Sequence, residues 1–158
     1  MNSASWIGGP NYWMASSSTW NLSARGMPIS AIFFPAFFNE GARGRFRVRV
    51  QYPINLGQMS QPQPDLVLYR PGMWRGQHPG AADISLVVQI SDSSLSFDLG
   101  EKLALYRANA IRESWVVDLK ATQVHRFVAP HFKSQTFSDS ISPSTWPDIR
   151  FDLQELFA

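Results

Sequence analysis

Ile84-Ser85-Leu86-Val87-Val88-Gln89-Ile90 is apolar along almost its whole length, the pattern of a strand covered on both faces in the middle of a sheet. Gln89 is its one polar interior residue. Working outward, Ser91 to Phe97 leads into a helix expected from about Asp98 to Asn109, with Leu99, Leu103, Tyr106 and Ala110 on one face. Ser114 to Asp118 and Thr122 to Val128 then read as a strand pair around Lys120-Ala121, with Asp118 as a strand-end turn residue. On the N-terminal side, Asp65 to Tyr69 is a short apolar strand entered through Pro62-Gln63-Pro64. Before it, Arg45 to Gln51 alternates strictly, Arg45, Arg47 and Arg49 on one face and Phe46, Val48 and Val50 on the other. The order strand, strand, helix, strand, strand predicts an α/β fold built on a mixed sheet.

The flanks are less patterned. Residues 1–30, rich in Ser, Asn, Gly and Trp, read as an irregular N-terminal segment, and residues 31–158 as one domain. Trp6, Trp13 and Trp20 have neither helical nor strand spacing, and suit core cover better than base stacking. Residues 30–40 could form a short helix disrupted at Pro35. His131 to Phe137 is expected to add a strand, and Asp152 to Phe157 a short closing helix.

Composition narrows the function classes. The 158 residues, 44% of them hydrophobic, suffice for one ordinary core. The absence of cysteine excludes disulfides, thiolate zinc sites and a cysteine nucleophile, and fits a cytoplasmic location. His78, His125 and His131 are scattered, and the longest apolar run, Ala31 to Phe38, is too short for a membrane span. A net charge of +2 argues little, but eleven of the fourteen cations are arginine, the side chain that forks onto phosphate oxygens.

Three polar residues could share one site. Phosphodiester hydrolysis is served by a hard divalent ion, Mg²⁺ or Mn²⁺, which takes oxygen ligands. Asp65 at a strand entry and Gln89 near the end of the next strand can supply two. Lys102, about 60° from the centre of the helix's buried stripe, can reach past the sheet edge to orient water or meet developing negative charge. Each has an ordinary structural alternative. Asp65 suits a strand entry. Asp98 suits a helix N-cap with Glu101 as capping-box partner, or a surface ion pair with Lys102. The arginine row suits a solvated face, or phosphate contacts by Arg45, Arg47 and Arg49. Gln89 is harder to explain away, because a buried amide without partners costs roughly 1 to 3 kcal/mol.

Pro62-x-Pro64-Asp65-Leu66, Leu86-Val-Val-Gln-Ile-Ser-Asp-Ser-Ser94, Asp98-x-Gly-Glu-Lys102-x-x-x-Tyr106 and Glu113-Ser-Trp-Val-Val-Asp118 together resemble successive blocks of the Uma-two family. That family belongs to the PD-(D/E)XK, restriction-endonuclease-like superfamily. The likeness runs from about Arg45 to Val128 and resumes at Asp152 to Phe157, with no counterpart recognised in residues 1–30. It implies a restriction-endonuclease-like core with a mixed central sheet flanked by helices. It also implies a Mg²⁺-dependent nuclease acting on nucleic acid, DNA in the first instance, and often a homodimer. By position, Asp65 matches the metal-binding aspartate, and Lys102 the lysine displaced from the strand to the following helix. Asp98 and Tyr106 match recurrent helix positions in a supporting role. The family usually carries glutamate where this chain has Gln89, so the second metal ligand loses a full charge. The alternative function is a catalytically inactive member that binds nucleic acid or protein.

Overall fold

The computed structural model describes residue 38 and residues 43–57, 60–72 and 77–157. Residues 1–37, which hold the three early tryptophans and most of the expected helix over 30–40, lie outside the described residues.

Six strands form one sheet in the order β1-β2-β3-β4-β5-β6. These are β1 (Arg47–Val50), β2 (Leu66–Tyr69), β3 (Ile84–Ser91), β4 (Glu113–Asp118), β5 (Gln123–Val128) and β6 (Gln135–Phe137). Only the β3–β4 pair is parallel, with Val87 opposite Ser114 and Ser91 opposite Asp118; the other four pairings are antiparallel. A parallel pair needs a crossover. Here that crossover is a single helical rod, α1. It runs through α-helical Leu95–Phe97, a π-helical turn at Asp98–Lys102 and α-helical Leu103–Ala108. The mixed α/β sheet expected from the sequence is thus present, with boundaries within a few residues. The helix starts three residues earlier than expected, and β6 is confined to the end of the stretch from His131. No helix of the described residues is long and apolar enough to cross a membrane.

The two sheet faces are covered differently. Leu66, Leu68, Leu86, Val88, Trp115, Val117 and Val124 face a large aromatic cluster that includes Phe38, Phe46 and Phe151. That side is closed by the ribbon β7 (Ser140–Ile141) and β8 (Phe151–Asp152) and by α2 (Leu153–Phe157). The opposite residues of the same strands, Val67, Tyr69 and Val87, pack with Tyr106 of α1, and Val116 packs with Leu99 and Leu103. Central strands buried on both faces lose the polar alternation of a half-solvated strand, and β2 and β4 are buried at every position.

Two expectations need correction. Ala110 leaves the helix with φ +56° and is exposed, so the buried stripe of α1 ends at Tyr106. Val50, assigned to the inward face of β1, is 41% exposed, because β1 is an edge strand whose end outruns its cover. Asp118 behaves as expected, its Oδ1 accepting from the amides of Lys120 and Ala121 at 3.0 and 2.9 Å.

Candidate metal and nucleic-acid site

The site lies where β2 begins, β3 ends and α1 passes over both. Asp65 immediately precedes β2, and Gln51 N–H donates to its carbonyl at 2.9 Å, so the β1–β2 ladder reaches it. Strand alternation therefore places its side chain on the same face as Val67, beneath α1. Gln89 shares that face through Val87 on β3. The Asp65 carboxylate bridges the two strands, its Oδ2 accepting from Ile90 N–H at 2.7 Å. Its other oxygen accepts no hydrogen bond from the described residues.

Gln89 is 2% exposed and both ends of its amide are used. Its Oε1 accepts from Lys102 Nζ at 3.0 Å, and its Nε2 donates to the Tyr106 hydroxyl at 2.7 Å. A lysine ammonium has donors only, so the amide oxygen must face Lys102 and the NH₂ must face Tyr106. The hydroxyl, acting here as acceptor, keeps its own proton to donate elsewhere. This is the partner the sequence demanded for Gln89.

Asp98 is not a helix N-cap. The helix begins at Leu95, so Asp98 sits one turn inside it, 1% exposed, and neither capping nor a surface ion pair with Lys102 describes it. Its Oδ2 accepts from Ser94 Oγ at 2.5 Å, and Lys102 Nζ lies 2.7 Å from Oδ1 but off the hydrogen-bond direction. Ser91 Oγ meets Ser94 Oγ at 3.4 Å, which ties the end of β3 to this chain of contacts.

The π turn explains how three helix residues reach one place. Asp98, Lys102 and Tyr106 are spaced by four, and in a regular α-helix each such step drifts by about 40° around the axis. The wider turn over Asp98–Lys102 takes up part of that drift and keeps the three aligned over Gln89. Single π turns of this kind recur at functional sites.

The electrostatics follow from these positions. Burial raises the Asp65 carboxyl above its ordinary range; the Ile90 amide and the Lys102 ammonium pull it back, and the Asp98 carboxylate pushes it up again. Burial likewise drives the Tyr106 hydroxyl well above the usual tyrosine range, against the opposing effect of Gln89. Lys102 and Asp98 of α1 thus both act on Asp65 at the start of β2. Among the described residues no group of three or more His, Asp or Glu could hold a metal. The protein donors on offer are the spare oxygen of Asp65 and the second lone pair of Gln89 Oε1. That sparse set fits Mg²⁺, which keeps several waters and takes one or two carboxylates plus substrate phosphate, better than an all-protein cage.

The arginine row divides. Arg45 reaches away to Asp148 at 2.8 Å. Arg49 lies opposite Val67 and Arg47 opposite Tyr69, on the face that holds Asp65 and Gln89. Arg49 is held by an Nε bond to the Tyr69 hydroxyl at 3.3 Å, with its guanidinium 5.5 Å from the centroid of the Tyr52 ring. A separate groove of about 500 Å³ between α1 and Phe132, lined also by Leu99, Leu103 and Arg107, carries no acid and takes no part in the site.

Ser94, Tyr52 and Phe97, none singled out from the sequence, stand beside these residues, Ser94 on Asp98, Tyr52 under Arg49 and Phe97 beside Lys102. Ser94 was visible as a serine just before an apolar turn, the usual mark of a helix start. Tyr52 and Phe97 carry no local pattern that would single them out.

Comparison with known proteins points the same way. The family model Uma2, described as "Putative restriction endonuclease", matches residues 11–154. The match reaches into residues 11–30, where the sequence reading recognised no counterpart. A solved structure described as a "putative nuclease belonging to DUF820", from Anabaena variabilis, superposes with a TM-score of 0.67. It is 11% identical, and the alignment covers 81% of this chain and 78% of that one, a likeness of fold. A search of curated proteins returns no match.

Proposed function

Given that the chain belongs to the Uma2 family of putative restriction endonucleases, we propose that it is a metal-dependent nuclease, with Asp65, Gln89 and Lys102 as its working residues and DNA as its substrate. The observation that carries this reading is the bonded set Asp98–Lys102–Gln89–Tyr106 standing beside an under-compensated Asp65. Asp65 and the Gln89 amide oxygen would hold Mg²⁺ or Mn²⁺. Once bound, such an ion polarises the phosphodiester and acidifies the attacking water.

The protein's own groups do the rest. Lys102, a third exposed at its side chain, can donate to a phosphate oxygen as negative charge grows there. Asp98 is its positioning residue, fixing the ammonium from the buried side while Ser94 fixes Asp98. Tyr106 holds the far end of the Gln89 amide, so the oxygen faces the site. Arg47 and Arg49 supply sequence-independent affinity for the backbone.

One observation favours a second reading. Gln89 Oε1 is neutral and already accepts from Lys102, which leaves one weak lone pair for a metal. A member with so poor a second ligand would bind nucleic acid without cutting it. A nicking assay on supercoiled plasmid and single-stranded circular DNA, with Mg²⁺ and with Mn²⁺, separates the two. The nuclease reading expects metal-dependent cleavage by the wild type, abolished in Asp65→Ala and raised in Gln89→Glu. Glutamate fits the same slot, since the Tyr106 hydroxyl can turn from acceptor to donor. Inert wild type with active Gln89→Glu establishes the second reading, and cleavage that survives Asp65→Ala overturns the site.

A further inference from the structure

Two pairs of a cation and an aromatic ring flank the site on one face of the sheet. On the β1 side, the Arg49 guanidinium lies 5.5 Å from the centre of the Tyr52 ring, and Tyr52 meets the His78 ring edge-on at 5.2 Å. Tyr52 packs against the cluster of Val67, Tyr69 and Tyr106, which places it on the α1 side of the sheet. On the α1 side, the Lys102 ammonium lies 5.7 Å from the centre of the Phe97 ring. Phe97 is 46% exposed, and among the described residues only Val50 is another large hydrophobic so placed. In sheet order the line runs from Arg49 on β1 past Asp65 at β2 and Gln89 on β3 to Lys102 and Phe97 on the following helix.

We propose that this face binds an unpaired strand of nucleic acid, its bases resting on Tyr52 and Phe97 and its phosphates met by Arg49 and Lys102. The inference rests on the nuclease reading for the acid between them, and narrows its substrate to single-stranded stretches. Cations tracking a backbone, with aromatic rings beside them to receive successive bases, are the general solution for single strands. A duplex hides its base faces inside the stack and offers such rings nothing to cover. Arg49 is already oriented by Tyr69 and Tyr52, so its terminal nitrogens are poised for a phosphate at little ordering cost. Exposure of Phe97 beside the working lysine, which no packing among the described residues explains, is accounted for by a base next to the scissile phosphate.

The test is fluorescence anisotropy in EDTA, where nothing is cut. Its probes are a labelled mixed-sequence oligodeoxynucleotide, the same sequence folded as a hairpin duplex, and the strand carrying abasic sites. Tyr52→Leu and Phe97→Leu keep apolar bulk while removing the ring; Phe97→Trp restores it. Wild type is expected to bind the single strand at least about tenfold tighter than the duplex, and each leucine variant to lose roughly tenfold on the single strand alone. Phe97→Trp should bind like wild type, and the abasic strand should bind equally weakly to all. Equal or tighter duplex binding by the wild type, losses that extend to the abasic strand, or no binding to either form would overturn the proposal. The outcome is separable from that of the nuclease reading. Preserved strand binding without metal-dependent cleavage sinks only the latter, and cleavage with duplex preference sinks only the former.

Discussion

Asp98 and Glu113 are both buried acids, at 1% and 0% exposure, and the protein satisfies them in opposite ways. Glu113 opens β4 on the aromatic side of the sheet. Its Oε1 accepts from Trp115 Nε1 at 2.7 Å, and its Oε2 from the Ser144 amide at 2.8 Å and hydroxyl at 2.5 Å. The donors are neutral and fixed, and they staple the segment between β7 and β8 onto the sheet. Asp98, under the other face, is paired instead with a partly exposed ammonium that also serves Gln89. One cluster is closed; the other has hydrogen-bonding capacity left over, directed at solvent. Residual capacity is what a substrate can use, so burial of an acid alone does not distinguish scaffold from site.

The contrast can be broken most sharply at Asp65. Asp65→Ala should lower metal-dependent cleavage at least about a thousandfold, several kcal/mol of lost barrier reduction, with the unfolding midpoint scarcely lower. Glu113→Gln should do the reverse. An amide NH₂ cannot accept from Ser144 or Trp115, so urea unfolding should show about 2 to 4 kcal/mol lost, while turnover per folded molecule stays the same. A drop in turnover there would erase the distinction.

Lys102→Met probes whether the open cluster works as a unit. Removing one donor aimed at developing charge should cost about a hundredfold in cleavage, with kcat rather than KM carrying the loss. The smallest effect is the most diagnostic of Asp65. Its carboxyl is raised by burial, so its ionisation opposes folding. Below the ordinary value of 3.8 the group is neutral in both states and costs nothing; as pH climbs through the raised folded value the penalty appears in full and persists at neutrality. Asp65→Asn should therefore melt about 2 °C above the metal-free wild type at pH 7, and the gap should close in acid. Saturating Mg²⁺ should narrow it too, by stabilising only the wild type.

Most of the sheet was legible because its strands are short apolar runs with clear ends, and Gln89 stood out as an amide where only apolar atoms belong. The environment of Asp98 was not legible. Read as a boundary residue because an acid three before a glutamate mimics a cap, it owes its burial to a helix that starts at Leu95 and to contacts with Ser94 and Lys102. Glu113 appeared only as a member of a block, because its partner Ser144 lies 31 residues away. The division of the arginine row was equally hidden: alternation put all three on one face, but the pull of Asp148 on Arg45 is tertiary.

The π turn of α1 gives the helix a surplus residue, so its function is written partly in arithmetic. Gly100 sits within it, facing open space, where a Cβ would meet no neighbour. Excising one residue there would restore ordinary α geometry and leave Asp98 three residues before Lys102, about 60° away from it around the axis. Lys102 and Tyr106 would keep their hold on Gln89 while Asp98 swung aside. Identical side chains, counted differently, would make a different site.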